Sequence, residues 1–295
     1  MAAGNLGDDI RKALLKSQRN EITEHIIYGR LARSEKDPRN ARVLGRIAGD
    51  ELRHYKVWKG LTGEDAGPYR LKAVRYYLMA KVLGLTFGIK LMEMGEGHAQ
   101  DFYRMISRSV PAAARIERDE NAHEKKLIAM VDEERLRYVG SIVLGLNDAL
   151  VEFTGALAGF SFALQSGAVV AMAGLITGIA ASLSMGASEY LSTKSEKGGE
   201  GKKPGKAAVY TTITYILTVL MMVAPFMLLQ NVLLALGATI SIVILLILFF
   251  TFYTSVAQDL PFRRRFAEMI TISLGVAGAS FLIGMLVKAF LGVGA

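Results

Sequence analysis

The stretch Val139-GSIVLGLNDALVEFTGALAGFSFA-Leu164 decides how this chain is built. It carries two charged residues, Asp148 and Glu152, and at 1.5 Å per residue it is long enough to cross the ~30 Å hydrocarbon core of a bilayer. Four more stretches of this kind follow, Val169–Leu191, Ala207–Leu229, Val232–Val256 and Phe266–Leu291, and none precedes Tyr138. Charge density changes at the same place: residues 1–137 hold 26 Lys+Arg and 20 Asp+Glu, residues 138–295 only 9 and 7. Two solvents are implied, water for residues 1–135 and lipid for residues 138–295, with helices in both.

The basic residues of the apolar part set its orientation. Lys194, Lys197, Lys202, Lys203 and Lys206 lie between the second and third stretches, and Arg263, Arg264 and Arg265 between the fourth and fifth. The other two connections, Gln165–Ala168 and Gln230–Asn231, are uncharged. Cations favour the cytosolic side, so a multi-pass protein of the plasma membrane is expected, with its N-terminal domain cytosolic and its C-terminus outside. The polar, acidic start from Met1 to Ile10 does not read as a cleaved signal peptide. The chain has no cysteine, which excludes disulfides, thiolate metal sites and cysteine nucleophiles. Its basic residues are interleaved with acids and form no nucleic-acid motif, so no nucleic-acid partner is expected.

Carboxylates inside an apolar helix carry information. Asp148 and Glu152 lie four residues apart, roughly 15–20 Å along the helix from its cytosolic end, where a charge costs ~2.5–3.5 kcal/mol. Met185 and Glu189 repeat the spacing on the second stretch, with Glu189 near the inner mouth and Met185 deeper. A transport path is the reading favoured by this depth; structural hydrogen bonds to Ser182, Ser184 or Asn147 are the competing one. Gly155 and Gly159 on the first stretch, and Gly174 and Gly178 on the second, make flat faces for close helix approach. Those faces either pack on each other or reflect the ordinary glycine content of membrane helices. Pro225 is expected to kink the third stretch.

In the soluble part, apolar periodicity predicts helices over Asp8–Ser34, Asn40–Leu61, Leu71–Ser107 and Ala112–Asp132, the third interrupted near Gly84 or Gly88. Four such helices make a bundle. Glu51-Leu-Arg-His54 lies on the second helix and Glu120-Asn-Ala-His123 on the fourth. Glu21 lies on the first, Glu93 and Glu96 on the third. One Glu-x-x-His motif is weak evidence, but two on alternate helices with acids between them match the pattern of a binuclear metal site in a bundle. Glu21 precedes Tyr28 by seven residues and Glu96 precedes Tyr103 by seven, so the domain reads as two related hairpins with Glu93 as an extra ligand. Oxygen and imidazole ligands suit Fe(II), with Mn(II) and Zn(II) as alternatives. Glu24, His25 and His98 read as satisfied or solvated polar groups, and Trp58 as core.

These motifs carry two resemblances. Glu21 with Tyr28, Glu51-x-x-His54, Glu93-x-x-Glu96 and Glu120-x-x-His123 resemble the rubrerythrin branch of the ferritin-like superfamily. Gly145-Leu-Asn-Asp148 and Ser184-Met-Gly-Ala-Ser-Glu-Tyr-Leu-Ser192 resemble the vacuolar iron transporter family. The combination is similar to the membrane-bound ferritins. The resemblance implies proton-coupled export of Fe(II), or Mn(II), from the cytosol by a homodimer in the lipid bilayer, with Asp148 and Met185 in the path. Two departures stand out: Ser192–Lys206 is a short Gly/Lys-rich loop where plant and parasite transporters carry a glutamate-rich module, and Ala149 stands where the family commonly has glycine. Metal capture then falls to the soluble bundle. The alternative expectation is a membrane-anchored di-iron oxidase or peroxide reductase using the same ligands, and a ferroxidase or peroxidase activity of the N-terminal domain is compatible with transport.

Overall fold

A computed structural model describes residues 8–106, 110–130, 133–195, 202–258 and 260–291. All regular structure among them is helical, and the chain divides into two compact units, Met1–Asp132 and Glu133–Ala295.

The first unit holds α1 (Asp8–Ser34), α2 (Pro38–Thr62), α3 (Arg70–Leu83), α4 (Leu85–Ile106) and α5 (Pro111–Ala129). Local chemistry explains the ends of α2. Asp37 accepts a hydrogen bond from the Arg39 N–H at 2.8 Å, Pro38 occupies the first turn, and Gly63 closes the helix at φ 71°. The third expected helix is two helices, so the described part of this unit contains five rather than four. Gly84 sits at φ 102°, a conformation that side-chain-bearing residues avoid, and the chain reverses there. Ala80 then packs directly on Gly88, whose missing Cβ makes room for it. Two apolar clusters close the unit, one around Ile27, Leu44, Ile47 and Ile89, the other around Leu14, Trp58, Tyr103 and Ile116.

Among the described residues, the second unit has five helices long and apolar enough to cross a membrane: Tyr138–Leu164, Gly167–Ser195, Pro204–Leu228, Val232–Ala257 and Phe262–Phe290. The first is not one regular helix. It comprises α6 (Glu133–Asp148), a π-helical turn (Ala149–Phe153) and α7 (Thr154–Leu164). The Thr154 hydroxyl donates to the Leu150 carbonyl at 2.7 Å, giving a partner to a backbone oxygen inside the irregular turn. The other four spans are α8 (Gly167–Ser195), α9 (Pro204–Leu228), α10 (Val232–Ala257) and α11 (Phe262–Leu291).

The glycine faces do not pack on each other. Gly155 and Gly159 receive Val276 and Ser280 of α11, and Gly284 of α11 lies against the Gly159 backbone. Gly174 and Gly178 accept Val223 and Val219 of α9, with only the tips of Leu157 and Phe153 coming from the first span. Small residues do permit close approach, but spacing along one helix says nothing about which partner arrives. Pro225 lies one turn from the end of α9, and the Leu229 N–H closes that turn on its carbonyl at 2.9 Å.

Candidate functional site

In the first unit, α1, α2 and α5 bring Glu21, Glu51, His54 and Glu120 together, with one ligand-type atom of each within 4.8 Å of the others. His54 Nδ1 lies 3.1 Å from Glu120 Oε1 and 3.4 Å from both Glu21 Oε2 and Glu51 Oε2. His123 joins through Nδ1, 3.1 Å from Glu51 Oε1 and 3.8 Å from Glu120 Oε2. Glu51 and Glu120 therefore each face both imidazoles, whose rings stack 5.9 Å apart. The side chains of Glu93, Glu96 and His98 lie outside the described residues. His25 turns away, its Nδ1 2.7 Å from the Ala48 carbonyl, as expected of a satisfied polar group.

The atoms at the centre are short of partners. Glu21 Oε2, Glu51 Oε2, His54 Nδ1 and His123 Nδ1 are buried without an aligned hydrogen bond, although they lie within ion-pair distance of one another. Buried polar atoms normally find partners, and two imidazole nitrogens facing three carboxylates form a donor set that fits divalent metal. Electrostatics agrees. Burial opposes charge on His54, but hydrogen bonding to Glu120, Glu21 and Glu51 outweighs it and raises the imidazole far above its ordinary value. His123 behaves alike: burial opposes its charge, Glu120 and Glu51 overcome that, and it rises to about 10. Glu21 is raised, chiefly by burial, whereas in Glu51 the hydrogen bonds from His123 and His54 prevail over burial and hold it low. The cluster is an anionic hole that demands positive charge.

A supporting layer surrounds these groups. The outward nitrogens of the two histidines meet acids from the opposite motif: His54 Nε2 lies 3.2 Å from Asp119 Oδ2, and His123 Nε2 2.9 Å from Asp50 Oδ2. Each acid precedes the glutamate of its own motif, so the true repeat is Asp-Glu-x-x-His, cross-braced. Such carboxylates orient an imidazole and aim its other nitrogen inward. Sequence reading passed over Asp50 and Asp119, yet the doubled Asp-Glu was visible. Trp58 is core, as expected, and also more: its indole N–H donates to Glu21 Oε1 at 3.0 Å, and the Tyr103 hydroxyl to the same oxygen at 2.7 Å. That leaves Glu21 Oε2 for the centre of the cluster.

In the membrane unit, Asp148 immediately precedes the π-helical turn and Glu152 lies within it, Asp148 half-buried and Glu152 exposed on the single chain. Tyr215 of α9 comes close to Asp148, with Glu152 also near, and its fully buried hydroxyl has no aligned hydrogen-bond partner. Sequence reading missed it, because nothing distinguishes a tyrosine in an apolar stretch until helix packing sets its neighbours. Ser182 bonds the Ile179 carbonyl of its own helix at 2.7 Å, so its hydroxyl proton is already committed there. Glu189 accepts from the Ser141 hydroxyl at 2.6 Å, and the Ser141 carbonyl accepts from Thr211 at 2.9 Å, linking α8, α6 and α9. Gly145 makes that link possible: a Cβ there would sit 2.6 Å from the Thr211 carbonyl. Met185 is half-buried against the apolar core. A fourth acid, Glu268, lies in the first turns of α11 beside Arg265 at 3.8 Å.

Residues 139–201 match the VIT family, a stretch that contains Asp148, Glu152, Met185 and Glu189. No curated protein sequence matches the chain.

Proposed function

We propose that the chain exports Fe(II), or Mn(II), from the cytosol in exchange for protons, and that the soluble unit is a ferritin-like capture domain. The observation that carries this reading is a pair of carboxylates, Asp148 and Glu152, in the middle of an apolar span within the stretch that matches the VIT family. Acids at that depth are costly and are retained where a path needs them. The π-helical turn that begins after Asp148 and contains Glu152 adds support, since such turns concentrate at functional sites. Glu189, Met185, Asp148 and Glu152 line the route from mouth to middle, with Tyr215 facing the same acids.

Carboxylates fit coupled transport because a proton cancels their attraction for a divalent cation. A proton arriving from outside releases the metal, and its departure restores the site. Glu152 is exposed on the single chain although it lies mid-span. Hydrocarbon cannot solvate it, so a second copy covers it, and the working unit is a homodimer with its path beside the first span. The cytosolic placement of the soluble unit, in a plasma-membrane protein with the C-terminus outside, rests on the basic loops.

In the soluble unit, Glu21, Glu51, His54, Glu120 and His123 would hold the metal pair, with Glu93 and Glu96 completing the set. Iron held there supplies redox chemistry toward oxygen or peroxide. The chain's own groups bind and orient: Asp50 and Asp119 aim the imidazoles, and Trp58 and Tyr103 fix Glu21.

The test is metal flux in proteoliposomes. Wild type moves Fe(II) or Mn(II) in the direction opposite to the proton flow when a proton gradient is imposed and Asp148→Ala does not, while metal binding in the soluble cluster persists in both. Wild-type flux in Asp148→Ala would overturn the path. Oxygen or peroxide consumption without any flux would establish the oxidase or peroxide reductase reading instead.

A further inference from the structure

The soluble unit has a face that metal binding does not use. From Ala66 to Met92 the sequence contains no acid and five Lys or Arg, and α3 lies inside that interval. Ala73 and Ala80 turn inward, buried to 2% and 5% exposure, and Tyr76 and Tyr77 flank them against the core. The opposite side is apolar and open: Leu71 is 83% exposed, Val74 41%, Leu78 52% and Val82 79%. These four recur at i, i+3, i+7 and i+11, a single stripe along the helix.

Cations border that stripe. At 100° per residue, Arg75 falls on one edge and Arg70 and Lys81 on the other. Lys16 and Arg19 of α1 continue the basic border, lining with Arg70 and Arg75 a groove of ≈ 830 Å³ that no acid enters. Arg19 is held in place, its Nε donating to the Gly67 carbonyl at 3.1 Å and its guanidinium lying 4.2 Å from the Tyr69 ring centre. Neither Arg19 nor Arg70, Arg75 or Lys81 pairs with an acid among the described residues; the nearby acids Glu64 and Asp65 already pair with Arg11 and Lys59.

We propose that α3 lies in the interface of an anionic bilayer, its leucine and valine stripe in the acyl boundary and its cations on the lipid headgroups. An apolar stripe bordered by Lys and Arg is the composition of helices that rest in a membrane surface. Charge decides between this occupant and a second copy. A twofold contact would set the basic border of one α3 against the same border of the other, whereas anionic headgroups complement it. The covalent tie to five membrane spans holds the helix at high local concentration near lipid. The inference is independent of the transported ion.

The chain has no cysteine, so Val82→Cys gives a single attachment point for an environment-sensitive fluorophore, with Lys36→Cys as control. The full-length protein is placed in nanodiscs of brominated phosphatidylcholine, alone or with phosphatidylglycerol. At ~0.1 M salt the Val82 label is quenched in the anionic discs and not in the neutral ones, and the quenching fades towards ~1 M, where the screening length shrinks to about 3 Å. The Lys36 label is quenched in neither. Each of Arg70→Gln, Arg75→Gln and Lys81→Gln lowers the docked-to-free ratio about fivefold. Equal quenching in both discs, or none in either, overturns the proposal. So does self-quenching between Val82 labels, which would make a second copy the occupant.

Discussion

The acids of the soluble unit and those of the membrane unit live in opposite circumstances. Glu21, Glu51 and Glu120 are crowded, and four groups from three helices answer them: His54, His123, Trp58 and Tyr103. Asp148 and Glu152 face a single tyrosine and each other, and Glu189 has one serine. A dense set with its own supporting layer holds a cation in one geometry. A sparse set binds loosely enough to let the ion leave, as conduction and transport require. Under the proposed function the same residue type serves retention in one unit and passage in the other.

Several measurements would break or sharpen that contrast. Among substitutions the largest effect is expected from Glu51→Ala, which removes one of the two carboxylates facing both imidazoles: metal affinity of the cluster, measured by equilibrium dialysis, falls by more than about 100-fold, beyond the range of outer-layer changes. Flux at saturating metal should survive it; a loss of both would mean that the two units do not divide the work. Next, Asp50→Asn and Asp119→Asn each weaken binding by about 10–100-fold by releasing an imidazole.

Acidification should act on the same ligands. His54 and His123 are raised by the surrounding carboxylates, and Glu21 by burial, so all three bind protons that incoming metal must displace. Below these raised values the protonated form dominates. Affinity therefore falls as pH drops from 8 to 6, by about tenfold per pH unit for each proton displaced. Titration calorimetry in buffers of different ionisation enthalpy reads the protons directly, and zero release would contradict the basicity assigned to the imidazoles. The smallest effect is expected from Trp58→Phe. Losing one of two donors to Glu21 costs about 1 kcal/mol, seen as a modest fall in melting temperature with metal binding retained.

Much of the architecture was legible from composition. Five apolar stretches are long enough to cross a bilayer, and the helices found there follow them closely, because the length needed to cross lipid is a strong constraint. The ends of α1 and α2 followed from breakers and caps. Other features depend on contacts that no local pattern encodes. The break between α3 and α4 was expected near Gly84 or Gly88 and falls at Gly84, but the fit of Ala80 against Gly88 was not visible. The partners of the Gly155 and Gly174 faces were set by α11 and α9. On the soluble side, the spacing of Glu-x-x-His pointed to Glu51, His54, Glu120 and His123, since three residues share a helix face. It did not reveal that each histidine reaches across to the aspartate of the other motif, a relation that exists only once α2 and α5 pack.

The π-helical turn from Ala149 to Phe153 divides the first span into two segments. Toward one end, Asp148 keeps its phase relative to Tyr215; toward the other, Gly155 and Gly159 keep theirs relative to α11. Deleting Val151 would hardly change the span's hydropathy, length or charge, and would leave every named side chain in place. It would let the turn close with the ordinary i→i+4 pattern, since a π turn is one turn of helix holding an extra residue, and both segments would keep their faces. The extra residue therefore serves the local backbone beside Asp148 and not the register of the span, and its omission would remove the irregular turn alone.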